Sequence, residues 1–299
     1  MPLVGFVCLD GERVQVEDCL KGCRIGERCL TLPTVKLISQ EREWNGIAST
    51  TQLINGTMLE WLKLTKPYYV DPDSRAFMLQ GTKHHKALEV VARELGLPAE
   101  IPLSVDRDIF DLIEQEEDGY VLTDYKLWGS FRVAKALGIV ETGKRPDPTG
   151  AVYKISGKWG KAGSPKMIPS FSQDCSKVDN WEAEFQLNNY QLMLRELGIP
   201  IRRMQLQITV RDGGLAVAKS RGIIKNVYLI PVPFLDEHLV RDFFKHKADC
   251  LAVALEKGWH IPCSPRESWD GRRCCKNYCD VWMFCPKGEL VHSVGKEEE

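Results

Sequence analysis

The sequence predicts a mixed α/β or α+β fold, with helices arranged around one central sheet. Three observations carry that expectation. Four stretches read as extended: DIFDLIE (108–114), GYVLTDYKLW (119–128), MQLQITVRD (204–212) and NVYLIPVP (226–233). Two longer stretches, GTKHHKALEVVARELG (81–96) and EAEFQLNNYQLMLRELG (182–198), have helical spacing and end in Gly, with Pro two residues beyond. The two kinds of segment interleave without strict β-α-β repetition.

Taken in order, residues 1–35 form a cysteine-bearing lead-in with little periodicity. Residues 36–80 read as short helical pieces carrying Trp44 and Trp61, closed by a turn at YYVDPDS. The helix at 81–96 follows. The acidic turn QEEDG between the next two extended stretches makes them a hairpin. A short helix near SFRVAKALG leads into GKRPDPTG and a Gly/Lys/Ser-rich stretch, ISGKWGKAGSPK, which reads as a long loop. Asp179 with Glu182 resembles a capping box opening the helix at 182–198. After the last two strands, a helix spans about Leu235 to Gly258. A cysteine-rich segment (261–290) and a charged, disordered tail (291–299, ending GKEEE) close the chain, leaving 36–260 as the central domain.

Composition narrows the function classes. The chain has 299 residues, 43% hydrophobic and 27% charged, which fits a globular protein with ample core. The formal net charge of -1 leaves nucleic-acid affinity to local basic patches. No apolar run reaches membrane-spanning length, and MPLVGFVCLDGE lacks the basic start of a signal peptide, so a cytoplasmic, reducing setting is expected. In that setting the Asn55-Gly56-Thr57 sequon is only a turn.

Several chemistry-bearing residues fall on shared faces. His85 and Glu89 lie one helical turn apart, as do Gln186 and Tyr190. Asp111 lies on the first strand of the hairpin. Asp124 and Lys126 project from one face of the second, with Tyr125 between them. Two strand carboxylates and an imidazole suit a hard divalent cation. A lysine beside it can help deprotonate or position a water, which is the equipment for hydrolysing a phosphodiester. A lone D-x-K is far more often a solvated charge pair, so the joint order of these residues carries the reading.

That order resembles a known family. GTKHHKALE is similar to the GT-x-x-H-x-x-LE helix of RecB-like exonucleases in the PD-(D/E)XK nuclease superfamily. DIFDLIE followed by VLTDYK resembles the family's GRID…DYK hairpin, and QLNNY its Q-x-x-x-Y helix. The likeness runs from about 36 to 260. One departure is Asp108 in place of the expected glycine, which leaves Asp106, Asp108 and Asp111 competing for one ligand position. The resemblance implies a restriction-endonuclease-like core with a central mixed sheet and cysteine-rich, metal-bound termini. It implies Mg²⁺ or Mn²⁺ held by His85, Asp111, Asp124 and the Tyr125 carbonyl, with Lys126 catalytic. Gln186 and Tyr190 would support the site or contact DNA, and Glu89 would orient neighbouring groups.

The 11 cysteines are concentrated at the two ends. Cys19, Cys23 and Cys29 repeat the C-x₃-C-x₅-C spacing of Cys275, Cys279 and Cys285, and Cys8 and Cys263 precede the respective triplets. Such spacings favour Zn²⁺ or an iron–sulfur cluster. Several RecB-like nucleases, among them AddB-type and CRISPR-associated exonucleases, carry a [4Fe–4S] cluster held by one cysteine before the core and three after it. Two assignments are open. In one, a single N-terminal cysteine, Cys29, joins the C-terminal triplet. In the other there are two four-cysteine sites, the second using Cys263, Cys274 or Cys275, Cys279 and Cys285. The solitary Cys175 and Cys250 read as small buried hydrophobes.

KISGKWGKAGSPK interleaves Lys154, Lys158, Lys161 and Lys166 with Trp159. Lysines can neutralise phosphates and a tryptophan can stack on an unpaired base. The expected function is therefore a metal-dependent exonuclease acting on single-stranded DNA or duplex ends, in recombination, repair, phage replication or CRISPR adaptation. With no P-loop in the sequence, a helicase partner would supply unwinding. A non-catalytic DNA- or protein-binding module on the same fold is the alternative.

Overall fold

The structure, a computed structural model, describes residues 3–104, 107–158, 160–274 and 278–294. It is an α/β fold with mixed sheets flanked by helices. The chain starts with β1 (Leu3–Val7), β2 (Arg13–Gln15), α1 (Val16–Lys21), α2 (Leu32–Ile38), α3 (Thr50–Ile54), α4 (Thr57–Thr65), β3 (Tyr68–Val70) and α5 (Pro72–Ala76). It continues with α6 (Met78–Glu94), β4 (Ala99–Pro102), β5 (Ile109–Glu116), β6 (Gly119–Trp128), α7 (Ser130–Leu137), β7 (Ile139–Pro146) and β8 (Met167–Gln173). The last elements are α8 (Trp181–Glu196), β9 (Ile201–Val210), α9 (Ala216–Lys219), β10 (Val227–Val232), α10 (Glu237–Lys257) and α11 (Pro286–Val294).

The five-stranded central sheet has the order β10-β9-β6-β5-β4, antiparallel except for the β6–β9 pair. Alternation along β9 sends Met204, Leu206, Ile208 and Val210 to one face. There they meet Ala183, Leu187, Tyr190 and Leu194, which recur at helical spacing along α8. The opposite face carries Leu112 and Tyr125, covered by Ala92 and Leu88 of α6. The sheet is thus a middle layer, so its strands receive side chains from α6 on one side and α8 on the other.

A second core joins the two ends of the chain. Phe6, Val35, Met58, Trp61, Leu62 and Tyr68 pack with Leu251, Val281 and Cys285. The C-terminal segment is tied down by polar contacts as well. Lys247, nearly fully buried, reaches Glu267 at 2.6 Å, and Arg273 donates to Asn55 Oδ1 at 2.6 Å. Asn55 ends α3 and Gly56 precedes α4, which is the turn expected at 55–57.

Several local expectations differ from the structure. The lead-in contains the β1–β2 hairpin, and YYV is β3, paired in parallel with β1. Three-residue strands whose partner is more than sixty positions away leave no periodic signal. The stretch read as helix, turn and long loop after 129 includes an antiparallel hairpin, β7–β8, whose tip is held by bridges Val152↔Pro165 and Gly157↔Gly160. Its strands are mostly exposed, so they carry no apolar alternation. Asp179 is not a cap: α8 starts at Trp181, and Asn180 before it donates to Ala136 O at 2.9 Å instead of capping. Cys175 is exposed and Cys250 half-exposed beside His246, so neither is a core residue. Residues 291–294, expected in the disordered tail, are the last turn of α11, and those beyond 294 lie outside the described residues.

Candidate functional site

The site forms where two strands part. β5 and β6 pair from Glu116↔Gly119 as far as Leu112↔Thr123, and the ladder stops there. The Tyr125 amide, beyond that point, donates to Asp111 Oδ2 at 2.6 Å in place of a backbone carbonyl. In an extended strand a residue's N–H and C=O leave on the same edge, so the Tyr125 carbonyl faces the β5 side as well.

Three ligand-type atoms converge in this gap. His85 Nδ1, from α6, lies 3.4 Å from Asp111 Oδ1 and 3.3 Å from Glu100 Oε1. Ligand atoms of His85, Glu100 and Asp111 all lie within 4.8 Å of one another, the one such group among the described residues. The pairs Ala99↔Leu112 and Ile101↔Phe110 set Glu100 directly opposite Asp111. Like charges facing each other across antiparallel strands repel, so this arrangement requires a positive charge between them. His85 meets that requirement here: its hydrogen bonds to Asp111 and then Glu100 push its pKa up to about 10, against the effect of burial. Glu100 also has a left-handed backbone, φ 52°, which a residue with a Cβ rarely adopts. Glu100 is not among the residues expected from the sequence. Its signal, an acid in the short AEIP strand, has meaning only once the register is known.

Beside this trio lies a polar chain. Leu122, Asp124, Lys126 and Trp128 alternate onto the α8 face of β6. Lys126 Nζ is 3.0 Å from Asp124 Oδ1 and 2.8 Å from Oδ2, but only the Oδ1 contact has hydrogen-bond geometry. Asp124 Oδ2 is therefore buried without a hydrogen-bond donor. Lys126 also donates to Gln186 Oε1 at 3.2 Å, and Gln186 Nε2 donates to the buried Tyr190 hydroxyl at 3.3 Å. Burial raises the Asp124 pKa to about 6, opposed by the charge of Lys126 and reinforced by that of Asp111. Burial alone would depress the Lys126 ammonium, but Asp124 and Asp111 outweigh it and keep the lysine protonated.

The competing aspartates separate by position. Asp111 belongs to the trio. Asp108 is buried and accepts from the Thr50 amide at 2.7 Å and the Ser104 hydroxyl at 2.8 Å, a structural clamp. Asp106 lies outside the described residues. Asp124 lies outside the trio, although the charge of Asp111 acts on it. Glu89 is held by Lys86 and Arg93, at 2.9 and 2.6 Å, and does not belong to the trio. His84, adjacent to His85, reaches Thr209 at 3.4 Å.

The remaining expected residues lie elsewhere. Lys154, Lys158, Lys161 and Lys166 are all exposed along the outer part of the β7–β8 arm, and Trp159 lies outside the described residues. That arm is inserted between β6, which carries Asp124 and Lys126, and α8, which carries Gln186. Cys263, Cys279 and Cys285 sit together in the core that joins the chain ends. Burial pushes the Cys263 and Cys279 thiols up to about 11. Cys275 lies outside the described residues, and Cys274 is buried. Cys8, Cys19, Cys23 and Cys29 line a separate small cavity. Among the described residues the cysteines form no disulfide. A cavity of about 680 Å³ has Trp44, Arg107 and Glu60 in its wall and none of the trio.

No family model matches the chain, and no curated protein matches it. Among solved structures, the crystal structure of SSO0001 is similar over 85% of this chain and 91% of that one, at 14% identity and a TM-score of 0.40. No helix among the described residues is long and apolar enough to cross a membrane.

Proposed function

We propose that the chain is a metal-dependent deoxyribonuclease, an exonuclease of the RecB-like, PD-(D/E)XK kind, acting on single-stranded DNA or DNA ends. The observation that carries the reading is Glu100 facing Asp111 across the sheet, with His85 touching both, next to the Asp124–Lys126–Gln186 chain. Opposed carboxylates and a buried, donorless Asp124 oxygen fit a hard divalent cation such as Mg²⁺ or Mn²⁺. His85, Glu100, Asp111 and Asp124 would hold it, with the Tyr125 carbonyl as a further oxygen ligand.

Bound there, a divalent cation lowers the pKa of water and offsets charge on a phosphoryl oxygen. The chain's own residues do the positioning. Lys126 is a fixed cation held by Asp124 and Gln186, so it orients a water or a phosphate oxygen and does not act as the base. Gln186 and Tyr190 hold the ammonium in place from α8. The arm lysines Lys154, Lys158, Lys161 and Lys166 neutralise phosphates of the strand, and Trp159 is proposed to stack on a base. The C-terminal Cys263, Cys275, Cys279 and Cys285 would carry an iron–sulfur cluster or Zn²⁺ that staples the end of the chain onto α4. DNA is the proposed partner, and a helicase would supply unwinding.

The test incubates end-labelled single- and double-stranded DNA with the full chain and Mn²⁺. Nucleotide release from labelled ends is expected. Binding of DNA without any cleavage would replace this reading with that of a non-catalytic DNA-binding module.

A further inference from the structure

The segment between α1 and α2, residues 22–31, has no regular secondary structure. Its turns are closed by few backbone bonds, such as Gly26 N–H to Cys23 O at 3.3 Å. Of its side chains only Leu30 joins the core. So small and irregular an excursion lacks the apolar burial that would fix it. What it has instead is thiols. Cys8 follows β1, Cys19 lies in α1, and Cys23 and Cys29 lie in the segment itself. All four line one cavity of about 30 Å³, floored by Val14 and Val35.

Two further observations indicate what fills that cavity. Cations surround the thiols: Arg28 donates to the carbonyls of Cys19 and Leu20 at 2.6 and 3.1 Å, and Arg24 adjoins Cys8. The cavity is lined by Cys8, Cys19, Cys23 and Cys29 and by no C-terminal cysteine, and the thiols acting on Cys19 are those of Cys29, Cys8 and Cys23. The four N-terminal cysteines therefore form a group of their own. Four thiols opening on one small cavity are a donor set for a single tetrahedral ion. The sulfurs stand apart here, no three of them within 4.8 Å of one another, so ligation draws them inward by side-chain rotation.

We propose that Cys8, Cys19, Cys23 and Cys29 hold one tetrahedral Zn²⁺, distinct from whatever the C-terminal cysteines bind, and that this ion folds residues 22–31 onto β1 and α2. Four thiolates carry a net charge of −2 once the ion is bound, which Arg28 and Arg24, the latter shared with Asp10, offset in part. Such a site is independent of the nuclease reading, and its test needs no activity.

Full-length protein from zinc-supplemented cells, purified without oxygen, is assayed for zinc and iron per chain. One zinc is expected in Cys279→Ser/Cys285→Ser, and Cys23→Ser/Cys29→Ser should hold one zinc fewer than wild type, with iron content matching wild type. Cys29→His keeps a zinc ligand and is expected to retain the ion. In the C-terminal double variant, Co²⁺ added in place of zinc should give thiolate-to-cobalt charge-transfer absorption. Zinc unchanged in Cys23→Ser/Cys29→Ser would overturn the proposal. So would iron lost from that variant, or cobalt that gives no thiolate band. Should that variant prove insoluble, the zinc content of Cys29→His and the cobalt band decide on their own.

Discussion

The parted strands of the central sheet and the cysteine-bearing ends of the chain place reactive groups by opposite means. At β4, β5 and β6 the backbone is already ordered by its own ladder, and five charged side chains are held on regular elements around a gap. There a cation would complete a site whose protein part already stands. Around Cys8, Cys19, Cys23 and Cys29 the backbone has little ladder and the side chains stand apart. There a cation would be part of the fold itself, since a site absent from the unfolded chain couples binding to folding. The first region should therefore lose activity without losing structure, and the second the reverse.

Substitutions can break or sharpen that contrast. Lys126→Ala leaves the trio's own residues in place and removes the charge proposed to orient the phosphate. It should slow cleavage by about 10²–10³-fold, the cost of deleting one preorganised donor, as read by single-turnover assay. Glu100→Gln keeps shape but removes one of two opposed charges. Mn²⁺ affinity should fall about 10–100-fold, the scale on which changes close to a metal act, measured by calorimetry with melting temperature unchanged or raised. An unchanged affinity would remove Glu100 from the site.

Smaller effects test the surroundings. Gly138 ends α7 in the left-handed region (φ 65°), and a Cβ there would lie 2.2 Å from Asp174 O at the base of the arm. Gly138→Ala should cost at least about 1–2 kcal/mol of stability from the backbone alone, seen in chemical denaturation. Neutralising Lys154, Lys158, Lys161 and Lys166 together should flatten the slope of log K against log salt for single-stranded DNA. The change should reach up to about 0.7 for each phosphate that a lysine no longer neutralises. An unchanged slope would show that the arm does not touch the strand.

Much of the central site was legible because its residues sit on regular elements. His85 follows from helical spacing, and Asp124 and Lys126 from strand alternation. Gln186 and Tyr190, one turn apart on α8, are joined by a hydrogen bond as their spacing allows. Asp111 was one of three rivals, and only the end of the β5–β6 ladder sets it apart from the clamped Asp108. Glu100 was not legible, since its role depends on the β4–β5 register and on a left-handed backbone that no residue type announces. The β7–β8 arm and the β1–β3 pairing escaped for a related reason: exposed or very short strands bury no alternating apolar face. The cysteine spacing was plain in the sequence, but the division into two groups required the cavity that Cys8, Cys19, Cys23 and Cys29 line without any C-terminal cysteine.

The most direct measurement pairs Mn²⁺ binding with cleavage of end-labelled single-stranded DNA in wild type, Lys126→Ala and Asp111→Asn. The account predicts that Lys126→Ala binds Mn²⁺ but cleaves about 10²–10³-fold more slowly, and that Asp111→Asn loses both. Cleavage by both variants at the wild-type rate would contradict it.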